Sequence, residues 1–302
     1  MNTVTQICLL GFGEVGTVLA EELLERGQVR LRVWDRLLAE DGSAPARAFA
    51  RLRAKSSAVG RLEAAVDAVS AASDCELVIS AVTAAQNLVA TRSVLSGLPI
   101  GCWLLDLNSV APATKQQVAD AVNARGGRYV EASVMSPIEP SRMAAPILLG
   151  GAAAADFLPF AHAIGFSGAK CYSALPGQAA ATKMCRSVIV KGMEALVTEA
   201  LLCARFYGVE ADVLASLNDL FPRPDWPEHA HYLIARSLAH GGRRAEEMRE
   251  VALTVVDAGL QPWMSSACAE RQAWAAQFRE ALSEPELLAM LDAIRARLPS
   301  AL

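Results

Sequence analysis

From residue 5 to about 170 the chain alternates short apolar runs with longer stretches of helical period, the pattern of a parallel sheet whose strands are joined by crossover helices. The apolar runs predict strands at Gln6–Leu10, Val29–Trp34, Leu77–Ala81, Trp103–Asp106, Arg128–Ala132 and Ile147–Leu149. Val15–Arg26 carries Val18, Leu19, Glu22 and Leu23 at helical spacing, and Pro112–Ala124 opens with a proline suited to a first helical turn. After Pro176 and Gly177 no further strand-like run occurs, and nearly everything to Leu302 reads as helix. This predicts a boundary between residues 1–175 and 176–302, with α/β architecture before it and all-α architecture after it. Ile189, Met193, Leu196, Ala200 and Cys203 step by four and three residues and line one face of a single long helix ending near Gly208. Phe221 to Pro227 reads as a rigid break, and Arg244–Ala258, followed by Gly259 and Pro262, as a further helix with its stop signal. So many apolar faces in the second part predict a homodimer built through it.

Composition narrows the function classes. The chain has 302 residues, 53% hydrophobic and 20% charged, enough for a sizeable core and too apolar for bulk disorder. A net charge of −4 supplies no positive field for a phosphate backbone, so nucleic acid is not an expected partner. The longest apolar runs, such as Leu77–Val82, fall far short of the roughly 18 residues of a membrane span. No basic stretch precedes an apolar segment at the N-terminus, so the expected location is cytoplasmic. Seven cysteines without a C-x-x-C pair fit scattered buried thiols, and His229 and His231 diverge on a helix, so no metal site is expected.

Gly11-Phe12-Gly13-Glu14-Val15-Gly16 is a G-x-G-x-x-G between the first strand and its helix. Gly11 permits a tight turn, Gly13 lets backbone approach a pyrophosphate at the helix N-terminus, and Gly16 lets helix and strand pack closely. Asp35 ends the second strand nineteen residues after Gly16, where a carboxylate accepts the ribose hydroxyls of NAD. The first part is thus expected to be a doubly wound, mostly parallel α/β sheet with a dinucleotide turn. Arg36 follows directly and suits either adenine stacking or a 2′-phosphate, so NAD and NADP both stay open, the acid favouring NAD. Val82 and Thr83, at the end of the Leu77–Ala81 strand, fit a ligand-facing carboxyl edge or an ordinary turn. Asn108 and Ser109 stand at the next carboxyl edge, where Ser109 serves either as a helix cap or as a substrate contact. Lys183 falls in the first turns of the long helix, with Arg186 and Ser187 three and four residues on. Desolvation and the neighbouring cation would bring such a lysine toward acid/base use, and Arg186 would bind a carboxylate. The bland alternative is that both cations reach solvent.

The three motifs, in this order, resemble the β-hydroxyacid dehydrogenase family, which includes 3-hydroxyisobutyrate and 6-phosphogluconate dehydrogenases. The resemblance spans most of the chain. The family's Asp-x-Ser-Thr-x-x-Pro segment is matched by Asp106 to Pro112, and the glycine-led helix bearing its catalytic lysine by Gly177 to Lys183. The resemblance implies a Rossmann domain, an all-α domain that dimerises, and a lysine that removes the hydroxyl proton as hydride leaves for the nicotinamide. Where the family carries Asp-Ala-Pro-Val-Ser-Gly-Gly for the substrate carboxylate, this chain has Glu131-Ala132-Ser133-Val134-Met135-Ser136-Pro137. Arg186 and Ser187 stand where the family has its asparagine, and Glu246-Glu247-Met248 where it has Lys-Asp-Leu. These departures are similar to a divergent branch of phosphogluconate-dehydrogenase-like proteins whose C-terminal domain long lacked an assigned function.

The expected function is an NAD(P)-dependent oxidoreductase acting on a small hydroxy acid or related carbonyl compound. Lys183 is the general acid/base, Arg186 the anion anchor, and Asn108, Ser109, Ser133, Met135 and Ser187 shape the substrate site. Reduction of an imine or another carbonyl on the same fold is one alternative, and a non-catalytic dinucleotide-binding redox sensor is another. His240, Arg243 and Arg244 form a basic group read as solvated surface, with a partner subunit's cleft as the alternative.

Overall fold

Strand β1 (Thr5–Leu10) is buried on both faces: Ile7 and Leu9 join one apolar cluster, while Cys8 and Leu10 join another. That is what a strand covered by helices on each side requires. In the computed structural model, which describes residues 5–27, 29–220, 225–259 and 261–298, the chain continues through α1 (Glu14–Glu25), β2 (Val29–Trp34), α2 (Ala44–Arg53), β3 (Leu62–Ala64) and α3 (Ala68–Ala72). There follow β4 (Leu77–Ser80), α4 (Asn87–Val94), β5 (Trp103–Asp106), α5 (Pro112–Ala124), β6 (Arg128–Val134), β7 (Ile147–Gly150), α6 (Ala154–Ile164) and β8 (Ala169–Ser173). The strands form one sheet in the order β3-β2-β1-β4-β5-β6-β7-β8, parallel except for the antiparallel β6–β7 pair. The order reverses between β1 and β4, which places a crevice at their carboxyl ends. This is the doubly wound, mostly parallel Rossmann sheet that the apolar runs predict.

Strands β3 and β8 add to the strands that the apolar runs predict. β3 has three residues, two of them exposed, and four of the five residues of β8 are exposed or half-buried, so neither edge carries an apolar run to read.

Helices follow: α7 (Gln178–Tyr207), α8 (Glu210–Leu220), α9 (Trp226–Asp257), α10 (Trp263–Ala275) and α11 (Leu287–Arg295). By compactness the chain divides into Met1–Lys183 and Met184–Leu302, a division within the first turns of α7 and a little beyond the change from strands to helices. The second unit has its own core, in which Leu201, Leu214, Ile234, Leu238, Phe278, Met290 and Leu291 pack together. The helix read at Arg244–Ala258 is the second half of the much longer α9. On α7, Ile189, Met193 and Leu196 lie on an exposed face, Ile189 at 66% and Leu196 at 54%. The side chains of Ala200 and Cys203, and Phe221 to Pro224 of the expected break, lie outside the described residues. Among the described residues no helix is long and apolar enough to cross a membrane, and no cluster of side chains has the make-up of a metal site.

Candidate active site

The glycine turn is built by contact. Gly11 has φ +97°, and a Cβ there would sit 2.5 Å from the Ala81 carbonyl oxygen just beyond β4, so the turn closes directly onto the strand across the crevice. A Cβ on Gly16 would strike the Gly11 carbonyl oxygen. At exposed Gly13 the reverse holds: a Cβ would meet nothing within 4 Å. Gly13 is also the N-cap of α1 and brings no side chain to the helix terminus, leaving backbone N–H donors and the positive end of the dipole over open space. These features fit the pyrophosphate of a dinucleotide.

Phe12 buries its ring edge-on against Phe49, with centroids 5.8 Å apart. Its N–H donates to Asp35 Oδ2 at 2.8 Å, and the Leu37 N–H donates to Asp35 Oδ1 at 2.9 Å. The half-buried Asp35 carboxylate thus braces the turn, and each oxygen keeps a lone pair for a ribose hydroxyl. Arg36 and Glu14 are exposed beside it, and Val15 is half-buried.

At the end of β5 a polar network is sealed inside the sheet. Asp106 and Lys115 are fully buried, and Lys115 Nζ lies 3.0 Å from both Asp106 Oδ2 and the Asp106 carbonyl oxygen. Oδ1 accepts from Asn87 Nδ2 (3.1 Å), the Asn108 N–H (3.0 Å) and Asn108 Nδ2 (2.8 Å), while the Tyr129 hydroxyl donates to Oδ2 at 3.0 Å. Burial first, and then the Asp106 and Glu131 charges, push the Tyr129 hydroxyl well above its ordinary range. Asn108 Nδ2 also donates to Ser80 Oγ (2.8 Å), and Asn108 Oδ1 accepts the Val82 N–H at 2.6 Å. Both ends of the Asn108 amide are therefore committed to protein, and the residue ties the carboxyl ends of β4 and β5 together. Thr83, next to Val82, is exposed.

Ser109 follows. The N-cap of α5 is Ala111, with no side-chain cap, so Ser109 does not cap the helix. Its Oγ instead accepts from Lys183 Nζ at 2.5 Å. The structure brings together these two residues, 74 apart in sequence, one at the carboxyl edge of the sheet and the other on the second turn of α7. Ser133 is buried near the end of β6; Met135 is half-buried just beyond, its N–H donating to the Pro146 carbonyl at 2.8 Å.

Farther along α7, Arg186 is exposed and Ser187 buried, its Oγ 3.4 Å from Lys191 Nζ. Lys191 pairs with Glu247 at 2.6 Å; burial lowers its pKa against the pull of that carboxylate. Arg243 also reaches Glu247, at 2.5 Å. Arg244 is not solvated surface as expected: it is buried against Glu194, which Arg236 also approaches at 3.5 Å. Sequence pattern cannot separate such an arginine from a surface one, because its partner stands fifty residues away on another helix.

Lys115 is not among the site residues expected from the sequence. The signal was present: Lys115, Val118, Ala119 and Val122 form the buried stripe of α5, and a lysine in an apolar stripe needs a buried partner.

Residues 6–173 match the model of the NAD binding domain of 6-phosphogluconate dehydrogenase. The chain belongs to the 6-phosphogluconate dehydrogenase-like family. Its helical part matches, over residues 204–275, a domain of unknown function, DUF1932. A conserved hypothetical protein from Sinorhizobium meliloti 1021 is 31% identical, with 98% of this chain and 97% of that one covered and a TM-score of 0.73. Two more distant structures share the fold at 18% identity. One is 3-hydroxyisobutyrate dehydrogenase (ygbJ) from Salmonella typhimurium (TM-score 0.67; 95% of this chain and 99% of that one). The other is a Streptomyces aurantiacus imine reductase (TM-score 0.55; 96% and 99%). No curated protein matches the chain. As a 6-phosphogluconate dehydrogenase-like protein it carries an oxidoreductase fold with a nicotinamide dinucleotide domain.

Proposed function

We propose that the protein transfers hydride between a nicotinamide dinucleotide and a small hydroxy acid or related carbonyl compound, with Lys183 as general acid/base. The observation that carries this reading is the 2.5 Å contact of Lys183 Nζ with Ser109 Oγ at the carboxyl edge of a sheet whose glycine turn fits a dinucleotide. The chemistry that a bound nicotinamide supplies is acceptance or donation of the hydride. The chain's own part is the proton. In the oxidising direction Nζ, as the free amine, takes the hydroxyl proton of the substrate as the C–H bond breaks; in the reducing direction it returns that proton to the carbonyl oxygen. Ser109 Oγ holds Nζ in place and offers a second hydrogen bond to the same oxygen. Asn108 acts by holding the Ser109 segment, since its amide has no free end for substrate. Ser133 and Met135 line the β6 side. Arg186, three residues beyond Lys183 on α7, is the anchor for a substrate anion. Asp35 supports NAD as the preferred cofactor.

The imine reading draws support from the neutral Met135-Ser136-Pro137 segment. A panel of β-hydroxy acids, aldehydes and imines, run with NAD and NADP, separates the two: turnover of imines alone overturns the hydroxy-acid reading. Tight cofactor binding without any turnover would leave the sensor reading. We further propose that the exposed Ile189, Met193 and Leu196 face packs against a second copy of the chain. Leu196→Glu is expected to yield monomer in sedimentation velocity, and a dimer unchanged by it contradicts that assignment.

A further inference from the structure

Glu131 is the one fully buried carboxylate on β6, and the proton chemistry does not use it. Its Oε2 accepts the Gly177 N–H at 2.6 Å, and its Oε1 accepts the Ala180 N–H. Those are donors of the first turn of α7, which otherwise go without partners at a helix N-terminus. A carboxylate there also meets the positive end of the helix dipole. The fit depends on two glycines: a Cβ on Gly150 would lie 2.6 Å from Glu131 Oε2, and Gly177 adopts φ +93° with its Cβ position against Pro112. Burial raises the Glu131 pKa, while the Lys115 charge and the two N–H donors act to lower it. The Lys115 charge thereby acts on two buried carboxylates. Asp106 holds the Asn108–Ser109 segment, and Glu131 holds the start of the helix that carries Lys183.

We propose that Glu131 is a positioning residue, clamping the first turn of α7 to β6 so that Lys183 Nζ stays in register with Ser109 Oγ. Lys183 lies three residues past Ala180, so a shift or fraying of that turn displaces its side chain directly. A misplacement of about 1 Å costs a proton-transfer site on the order of 100-fold in rate. The proposal rests on Lys183 being the acid/base, and its test therefore includes measurements that need no turnover.

The test compares wild type with Glu131→Gln and Glu131→Asp. The amide keeps the size but turns one acceptor into a donor facing an N–H; aspartate keeps the charge but is one methylene too short to reach both donors. Hydrogen exchange of the 177–184 segment is read by mass spectrometry and normalised to β1. The pH profile of Lys183 acylation by acetic anhydride is read in the same samples, with Lys170 as the internal comparison. Exchange of 177–184 is expected to rise about 10-fold or more in the glutamine variant, with aspartate intermediate. The Lys183 acylation profile is expected to shift relative to Lys170. On a substrate that wild type turns over, kcat is expected to fall at least 10-fold with KM within about threefold. Unchanged exchange and unchanged Lys183 acylation overturn the proposal. So does a uniform loss of protection across the sheet without excess at 177–184, which would make Glu131 structural only. Absence of wild-type turnover would count against the oxidoreductase reading and leave the exchange and acylation results to decide this one.

Discussion

Replacing Lys115 by methionine removes the ammonium group from the sealed network and keeps most of the side-chain volume. The Asp106 carboxylate then loses the Lys115 ammonium that pairs with it, and the Asp106 carbonyl oxygen loses its Nζ donor. Because both partners are fully buried, the cost is that of leaving a charge uncompensated, about 3–5 kcal/mol. For a unit of this size that corresponds to a fall in Tm of roughly 6–20 °C. Asp106→Asn alone is expected to cost a similar amount, since an amide NH2 would then face the Lys115 donor. In the double variant the asparagine Oδ1 keeps the donors from Asn87 and Asn108, and its NH2 faces a Tyr129 hydroxyl able to accept. The two penalties should therefore overlap, with a coupling energy of about 1–3 kcal/mol in a urea-unfolding double-mutant cycle. A single-variant loss below about 1 kcal/mol, or strict additivity, would contradict a buried, coupled Lys115–Asp106 pair.

Two further outcomes are expected. Gly13→Ala adds a methyl group where nothing lies within 4 Å, at a backbone conformation (φ −76°, ψ −154°) open to alanine. Stability should change by less than about 0.5 kcal/mol while cofactor affinity falls about 10-fold or more by fluorescence titration; unchanged affinity would remove the pyrophosphate from this turn. Arg142 holds α1 through Glu21 at 3.0 Å and Glu22 at 3.0 Å. For Glu21, burial raises the pKa, but the hydrogen bonds and charges of Arg142 and Lys55 outweigh it and leave the group below its ordinary 4.5. The stabilisation is thus complete above pH 4.5 and is lost as pH falls through the lowered folded value. Arg142→Ala should cost about 1 kcal/mol at pH 7, and the penalty should shrink as acid protonates Glu21. A penalty equal at pH 7 and pH 3 contradicts the assignment.

The central strands, the glycine turn and α5 were legible because each follows from a local rule: an apolar run, a G-x-G-x-x-G, a proline at the first helical turn. β3 and β8 were not, because edge strands here carry polar or exposed residues and announce themselves only through their neighbours. The Lys183 motif was visible as a lysine near the start of a long helix, but its partner was not. Ser109 could equally have been a cap, and only the fold shows that Ala111 takes that place. Asn108 reads as a ligand residue because it stands at a strand's carboxyl end, where ligands of such sheets bind. Its burial between Val82, Ser80 and Asp106 turns it into a brace. Arg244 and Lys115 fail the general rule that cations face water, and both do so opposite a glutamate or aspartate that sequence spacing cannot pair with them.

The proposed reaction turns on the proton at Lys183. Wild type and Lys183→Ala should be assayed side by side for nicotinamide reduction over a panel of small β-hydroxy acids with NAD and NADP, with cofactor affinity measured on the same samples. The variant is expected to bind cofactor as wild type does and to lose activity on the preferred substrate by about 100-fold or more. Equal activity in the two proteins would contradict it and move the proton to another group.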